Sequence, residues 1–196
     1  LADLNGAWID RFHDRNGLKY IVLDMDSSVS PTHGDQEGAA WNGHFGCTCY
    51  HPNFLFNQFG MLERCALRNG NVHSADGWQE VLDPVIARYA GRNLGGRFFR
   101  ADAAYAIPAL YERLEETGYF YAIRLRANNV LREQIAHRLT RPVGRPSQTK
   151  VKRFHEDFQY QAASWDKARR VIAKIEWHPG ELFPRVGFIV TNLPME

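Results

Sequence analysis

The chain has 196 residues, a 44% hydrophobic fraction and a net charge of +2. That is enough apolar material for one domain with a real core, or one domain carrying an insertion. No window approaches the ~18 consecutive apolar residues of a membrane-spanning helix, and Cys47, Cys49 and Cys65 form no disulfide framework, which fits a reducing cytoplasm.

The opening Leu1-Ala2-Asp3-Leu4 lacks an initiating Met and any signal-peptide pattern, and reads as a cut within a longer protein. The modest net charge hides an asymmetry. Residues 124–153 carry nine Lys/Arg against one Asp/Glu, inside an otherwise acidic chain. Such a block suits contact with a polyanion, and suits a solvated loop equally well on composition alone.

Residues 2–15 have the weak apolar spacing of a short helix. Tyr20-Ile21-Val22-Leu23 is a run of strand formers and predicts a buried central strand, whose alternation puts Asp24 and Asp26 on one face at its C-terminal end. Residues 27–43 are turn-rich. Phe45 to Phe59 and Met61 to Leu67 predict two antiparallel strands around a tight turn near Asn57–Gly60. Ser74 is the expected N-cap of a helix. Its apolar stripe is Trp78, Val81, Leu82, Val85, Ile86 and Tyr89, with Pro84 as an interior blemish that should kink it. Arg97 to Asp102 predicts a short strand ending in an acid. A helix should run from about Ile107 to Thr117 with Gly118 as its stop, followed by a strand over Tyr119 to Leu125 and a helix over Val130 to Leu139. Thr140 to Lys150 is a basic, turn-rich stretch, and residues 158–164, 169–177 and 186–193 predict three further strands. The order predicts an α/β fold with a mixed sheet, an antiparallel meander continuing into a parallel part.

Two strand ends carry the chemistry. Asp24 and Asp26 share a face, and such acids repel one another and resist ionisation unless a cation neutralises them. Mg²⁺ or Mn²⁺ does this with oxygen ligands. Asp102 ends the second strand and would face Asp26 if the strands are neighbours. The bland alternatives are turn acids at a strand exit and, for Asp102, a cap for the next helix.

The stretches Val22-Leu23-Asp24-Met25-Asp26-Ser27-Ser28, His33-Gly34-Asp35-Gln36-Glu37-Gly38, Tyr50-His51-Pro52 and Arg100-Ala101-Asp102-Ala103-Ala104-Tyr105 resemble, in this order, the transposases of bacterial insertion sequences, DDE domain group 1. The similarity runs from about Tyr20 to Leu193. It implies an RNase H-like catalytic core over residues 19–125, with residues 1–18 a helical lead-in and residues 126–196 a basic, β-rich part that reads as an insertion. It also implies Mg²⁺ or Mn²⁺ as cofactor, double-stranded DNA as partner, a homodimer as an admissible assembly, no membrane association and a bacterial cytoplasmic, nucleoid-associated location. Asp26, followed by a small residue and Ser28, matches the first acid, Asp102 the second, and Asp24 is an auxiliary on the same face. Arg124, Arg126, Arg132, Arg138, Arg141, Arg145, Lys150, Lys152 and Arg153 are the expected DNA contacts. The third acid of the pattern is a Glu on a late helix. Glu156, Glu176, Glu181 and Glu196 lack that context, so this Glu is expected beyond Glu196 and the chain alone is expected to be inactive.

Three rivals remain. Leu23-Asp24-Met25-Asp26-Ser27-Ser28 also resembles the opening of haloacid-dehalogenase-type phosphatases, with Asp24 as nucleophile and Asp26 as acid/base. That fold needs parallel strands separated by helices, against the predicted hairpin. His44, Cys47, Cys49 and His51 suggest zinc, but their alternation is that of one strand face rather than of a ligand turn. A fragment that binds DNA without chemistry is the third. His33 and Gln36 read equally as site-lining and as loop residues, and the tryptophans as core.

Overall fold

A computed structural model describes residues 2–141, 143–144 and 149–194. Two compact units divide at residue 120. Among the described residues no helix is long and apolar enough to cross a membrane.

The first unit opens with α1 (Ala2–Asn16) and then β1 (Ile21–Ser27). Alternation along β1 buries Ile21, Leu23 and Met25, and turns Val22, Asp24 and Asp26 to the other face. The apolar residues therefore anchor the strand while the acids remain accessible. β2 (Ser30–Pro31), β3 (Ala40–Asn42) and β4 (Cys47–Tyr50) form a separate small antiparallel sheet in the order β2-β4-β3. β5 (Asn53–Asn57) and β6 (Leu62–Ala66) form a hairpin beside β1. The expected strand over Phe45 to Phe59 is thus two strands in two sheets. The break falls at His51-Pro52, where proline cannot donate to a ladder.

The turn lies where expected. Asn57 Oδ1 accepts from the backbone of Phe59 and Met61, and Gly60 takes φ 74°. Gln58 then extends the sheet with its side chain, accepting from Val22 N and donating to the Tyr20 carbonyl.

α2 (Trp78–Ala90) buries all six residues of the predicted stripe. Its cap is Gly77 in a left-handed conformation, not Ser74. The chain needs the turn over His73–Asp76, where Asp76 accepts from His73 N, before the helix can start. Pro84 sits inside the helix, which stays continuous around it. β7 (Arg97–Ala101) pairs parallel with β1, a one-turn 3₁₀ segment covers Ala103–Tyr105, and α3 (Pro108–Glu116) ends before Gly118 at φ 73°. The sheet order within this unit is β6-β5-β1-β7, antiparallel on one side of β1 and parallel on the other. This is the mixed arrangement predicted.

The second unit is antiparallel. β8 (Phe120–Leu125) pairs with β11 (Arg185–Thr191), β11 with β10 (Arg169–Trp177), and β10 with β9 (Lys152–Tyr160). β9 starts six residues before the predicted 158, so Lys152 and Arg153 lie on a strand. The predicted single helix is two short ones, α4 (Asn129–Gln134) and α5 (Ala136–Leu139), separated at the buried Ile135.

The first unit holds a buried ionic network. Glu63 is 1% exposed and pairs with Arg88, while its Oε1 accepts from Asn57 Nδ2 at 2.7 Å and from the Tyr89 hydroxyl at 2.8 Å. His13 Nε2 lies 3.0 Å from the same hydroxyl. The network ties α1 and α2 to the hairpin. Removing one partner strands the other's charge, so Arg88→Met is expected to lose about 3–5 kcal/mol in urea unfolding. Burial, reinforced by the nearby Arg92 and Arg88 cations and opposed by Asp10 and Asp14, lowers the pKa of His13. The folded state thus favours neutral His13. Its contribution is complete above the unfolded value of about 6.5 and is lost as pH falls toward the lowered one. Urea midpoints between pH 7 and pH 5 should fall more steeply for the wild type than for His13→Gln.

Candidate active site

Parallel pairing sets Leu23 opposite Phe99, Asp24 opposite Arg100 and Met25 opposite Ala101. The next residues along are Asp26 and Asp102. The strands are neighbours, as the expectation for these acids required. Asp26 still belongs to β1, where it is also in register with Phe54 of β5. Asp102 has just left β7.

Each acid uses one oxygen on local backbone. Asp26 Oδ1 accepts from Ser27 N at 2.8 Å, and Asp102 Oδ1 from Ala104 N at 2.9 Å. The capping role foreseen for Asp102 is therefore real, though the turn it caps is the 3₁₀ segment. Neither Oδ2 accepts a hydrogen bond from the described residues, and both side chains open to solvent.

The electrostatics identify Asp26 as the strained member. Its pKa is raised, first by desolvation, then by the negative charges of Asp102 and Asp24, against the opposing Ser27 N–H. Asp24 differs, because Arg100 donates to its Oδ2 at 2.5 Å. One acid on this face already has its cation, while Asp26 and Asp102 follow neighbouring strand positions and have no ion pair among the described residues.

Carboxylate oxygens at such a point suit a hard divalent cation. The two acids supply part of a coordination shell. Among the described residues no group of three His, Cys, Asp or Glu is placed to hold a metal. Three of the glutamates weighed for the third acid are engaged elsewhere. Glu156 pairs with Arg138, Glu181 with Arg185, and Glu176 with Arg153 and Lys174, which hold its pKa down at about 2. Glu196 lies outside the described residues.

The zinc reading fails on geometry. His51 directs Nδ1 to the Val72 carbonyl and Nε2 to Ser27 Oγ, His44 packs against Phe45, and among the described residues these side chains form no group placed to hold a metal. His33 and Gln36 lie in an exposed loop, where Gln36 donates to the His33 carbonyl at 3.4 Å.

The profile of the transposase DDE domain group 1 family matches residues 1–196. The chain belongs to that family. Its fold is similar to that of the piggyBac transposase in a synaptic complex with hairpin DNA, determined by cryo-EM, with a TM-score of 0.51 and 10% identity over 89% of this chain and 34% of that one. The DDE domain thus spans about a third of that transposase, and at such identity the likeness concerns the fold. No curated protein sequence matches it. The antiparallel hairpin beside β1 also removes the phosphatase alternative, which needs parallel neighbours.

Of the predicted DNA contacts in this DDE domain, Arg124, Arg126, Arg132 and Arg141 are exposed and have no ion pair among the described residues. Arg138 and Arg153 are taken by Glu156 and Glu176. Lys152 lies over Phe154, Lys150 is exposed, and Arg145 lies outside the described residues. Arg124 also lines a groove of about 380 Å³ with Lys174 and Arg185. The sequence pointed to His51 only as a zinc candidate and to no role for Asn53 or Tyr105, and all three pack near the acids. Two of the three lie in the quoted motif stretches.

A raised carboxyl pKa means that ionised Asp26 opposes folding at neutral pH. Its contribution is favourable below the unfolded value of about 3.9 and is lost as pH rises through the folded one. Asp26→Asn should therefore melt higher than the wild type at pH 7, and the gap should close below pH 4. Carboxyl carbon NMR of Asp102→Asn should find the Asp26 titration moved down.

Proposed function

We propose that this DDE domain supplies Asp26 and Asp102 to a divalent cation, Mg²⁺ or Mn²⁺, where a DNA phosphodiester at a transposon end is cleaved and its 3′ end transferred to target DNA. The observation that supports the reading is the placement of two solvent-open carboxylates at adjoining strand ends with no ion pair among the described residues, one of them with a raised pKa. Bound there, such an ion would activate water and stabilise the leaving 3′ oxygen.

The chain's own residues prepare that place. β1 and β7 fix the lateral spacing of the acids, because both are buried strands of one sheet. Ser27 N and Ala104 N orient one oxygen of each acid and leave the other for coordination. Asp24 already shares its charge with Arg100, so it is an auxiliary on this face rather than a third ligand. Arg124, Arg126, Arg132 and Arg141 are the proposed phosphate contacts, giving affinity and steering rather than sequence reading. Double-stranded DNA is the proposed partner.

The test is cleavage by the whole transposase on its own transposon ends. Asp26→Asn and Asp102→Asn should each reduce cleavage on the order of 10³-fold, about 4 kcal/mol of barrier, while DNA retardation persists. Asp24→Asn should do less. Cleavage that survives both substitutions would refute the assignment. Replacing the four arginines by Gln should flatten the salt dependence of binding by up to ~3–4 in log–log slope.

A further inference from the structure

Behind the two acids lies a polar cluster that the cleavage chemistry does not use. Asn53 and Tyr105 are fully buried and His51 is 4% exposed. The Tyr105 hydroxyl donates to Asn53 Oδ1 at 2.7 Å, and Asn53 stands in register with Ser27 on the neighbouring strand. His51 Nδ1 faces the Val72 carbonyl at 3.0 Å, and since a carbonyl only accepts, that nitrogen carries a proton. Nε2 lies 3.2 Å from Ser27 Oγ. Asn53 Nδ2 is buried with no partner. Such groups are expensive to keep in a core unless they do something an apolar packing could not.

Their connectivity identifies what that is. Ser27 follows the first acid and donates its backbone N–H to it. Tyr105 sits in the turn that Asp102 caps through Ala104 N. The bond from Tyr105 to Asn53, which pairs with Ser27 across the strands, therefore links the exit of β7 to the end of β1. His51 and Asn53 brace it from the switch between the two sheets. Arg68 fixes that switch, its Nε donating to the His51 carbonyl at 2.8 Å, and Ser28 N bonds the Pro52 carbonyl at 3.0 Å.

We propose that His51, Asn53 and Tyr105 are positioning residues, which hold the strand end of Asp26 against the turn of Asp102 so that both carboxylates present their open oxygens to one cation. The proposal rests on the metal reading above. Hydroxyls and an amide suit this task better than a cation. An arginine at this point would neutralise the acids, as Arg100 does for Asp24, and would compete with the metal. Hydroxyls and an amide restrain two mutually repelling carboxylates while leaving their charge for the ion. Partners of this kind, when removed, typically weaken metal affinity 10–100-fold.

Mn²⁺ binding to the chain, followed by electron paramagnetic resonance, tests this without turnover. Tyr105→Phe and His51→Gln should each weaken Asp26-dependent Mn²⁺ binding at least tenfold. Tyr89→Phe, which removes a buried hydroxyl from the distant Glu63 network, should lower the melting temperature and leave Mn²⁺ affinity unchanged. If Asp26→Asn weakens Mn²⁺ binding but Tyr105→Phe and His51→Gln bind as the wild type does, the positioning role is overturned and the metal reading stands. The role is likewise overturned if Tyr89→Phe weakens binding as much as Tyr105→Phe, because loss of stability then accounts for the effect. If Asp26→Asn leaves Mn²⁺ binding unchanged, the metal reading falls and the positioning role with it.

Discussion

Two like charges are held together where the end of β1 meets the exit of β7, and the rest of the first unit can be understood from that constraint. Asp26 and Asp102 repel, and the surrounding protein desolvates Asp26 enough to raise its pKa. A fold that gained nothing from this would separate them or place a cation between them. Instead β1 is fixed by its opposite face. Ile21 and Leu23 are fully buried and Met25 is 1% exposed, so the strand cannot slip by one residue without turning three apolar side chains into water. The register that brings Asp26 level with Asp102 is thus enforced by apolar burial, and the acids inherit positions that their own electrostatics oppose.

Four acids in this unit show what compensation looks like and where it is missing. Glu63 is more buried than Asp26, but it has Arg88, Asn57 and Tyr89 around it. Asp24 has Arg100. Both are explained as parts of the protein alone. Asp26 and Asp102 each receive one backbone N–H and, among the described residues, no side-chain counter-charge. Compensated acids stabilise a structure, whereas uncompensated ones await something it lacks. The distinction could not be made from residue type, since all of these positions are equally acidic in the sequence.

What was legible in advance follows the same division. The period-2 burial of β1 and the helical stripe of α2 were readable because each is a local pattern enforced by one interface. The strand-end acids were readable because strand alternation projects them predictably. The interruption at His51-Pro52 was not, because an alternating run continues through it. Only the three-dimensional return of the chain shows that Cys47–Tyr50 and Asn53–Asn57 belong to different sheets. The cap of α2 was misread for a related reason. Ser74 has the right chemistry, but Asp76 organises the preceding turn and postpones the helix until Gly77. His51, Asn53 and Tyr105 escaped assignment because their role depends on contacts separated by 24 to 52 residues, between Ser27 and His51 and between Asn53 and Tyr105.

The second unit shows why charge counting overstates an interface. Residues 124–153 carry nine cations, yet Arg138 is paired with Glu156, and Arg153 shares Glu176 with Lys174. Those pairs cross between elements. Arg138 on α5 reaches β9, and Arg153 on β9 reaches β10, so they fasten the antiparallel sheet and its helix. A phosphate competing for either guanidinium would first have to displace a carboxylate. Arg124, Arg126, Arg132 and Arg141 carry no such debt. An exposed cation has little to lose in desolvation when it meets a phosphate and releases a condensed counterion in doing so. The useful measure of this surface is therefore the set of cations without an internal partner, which is smaller than the composition implies and runs from β8 to just past α5.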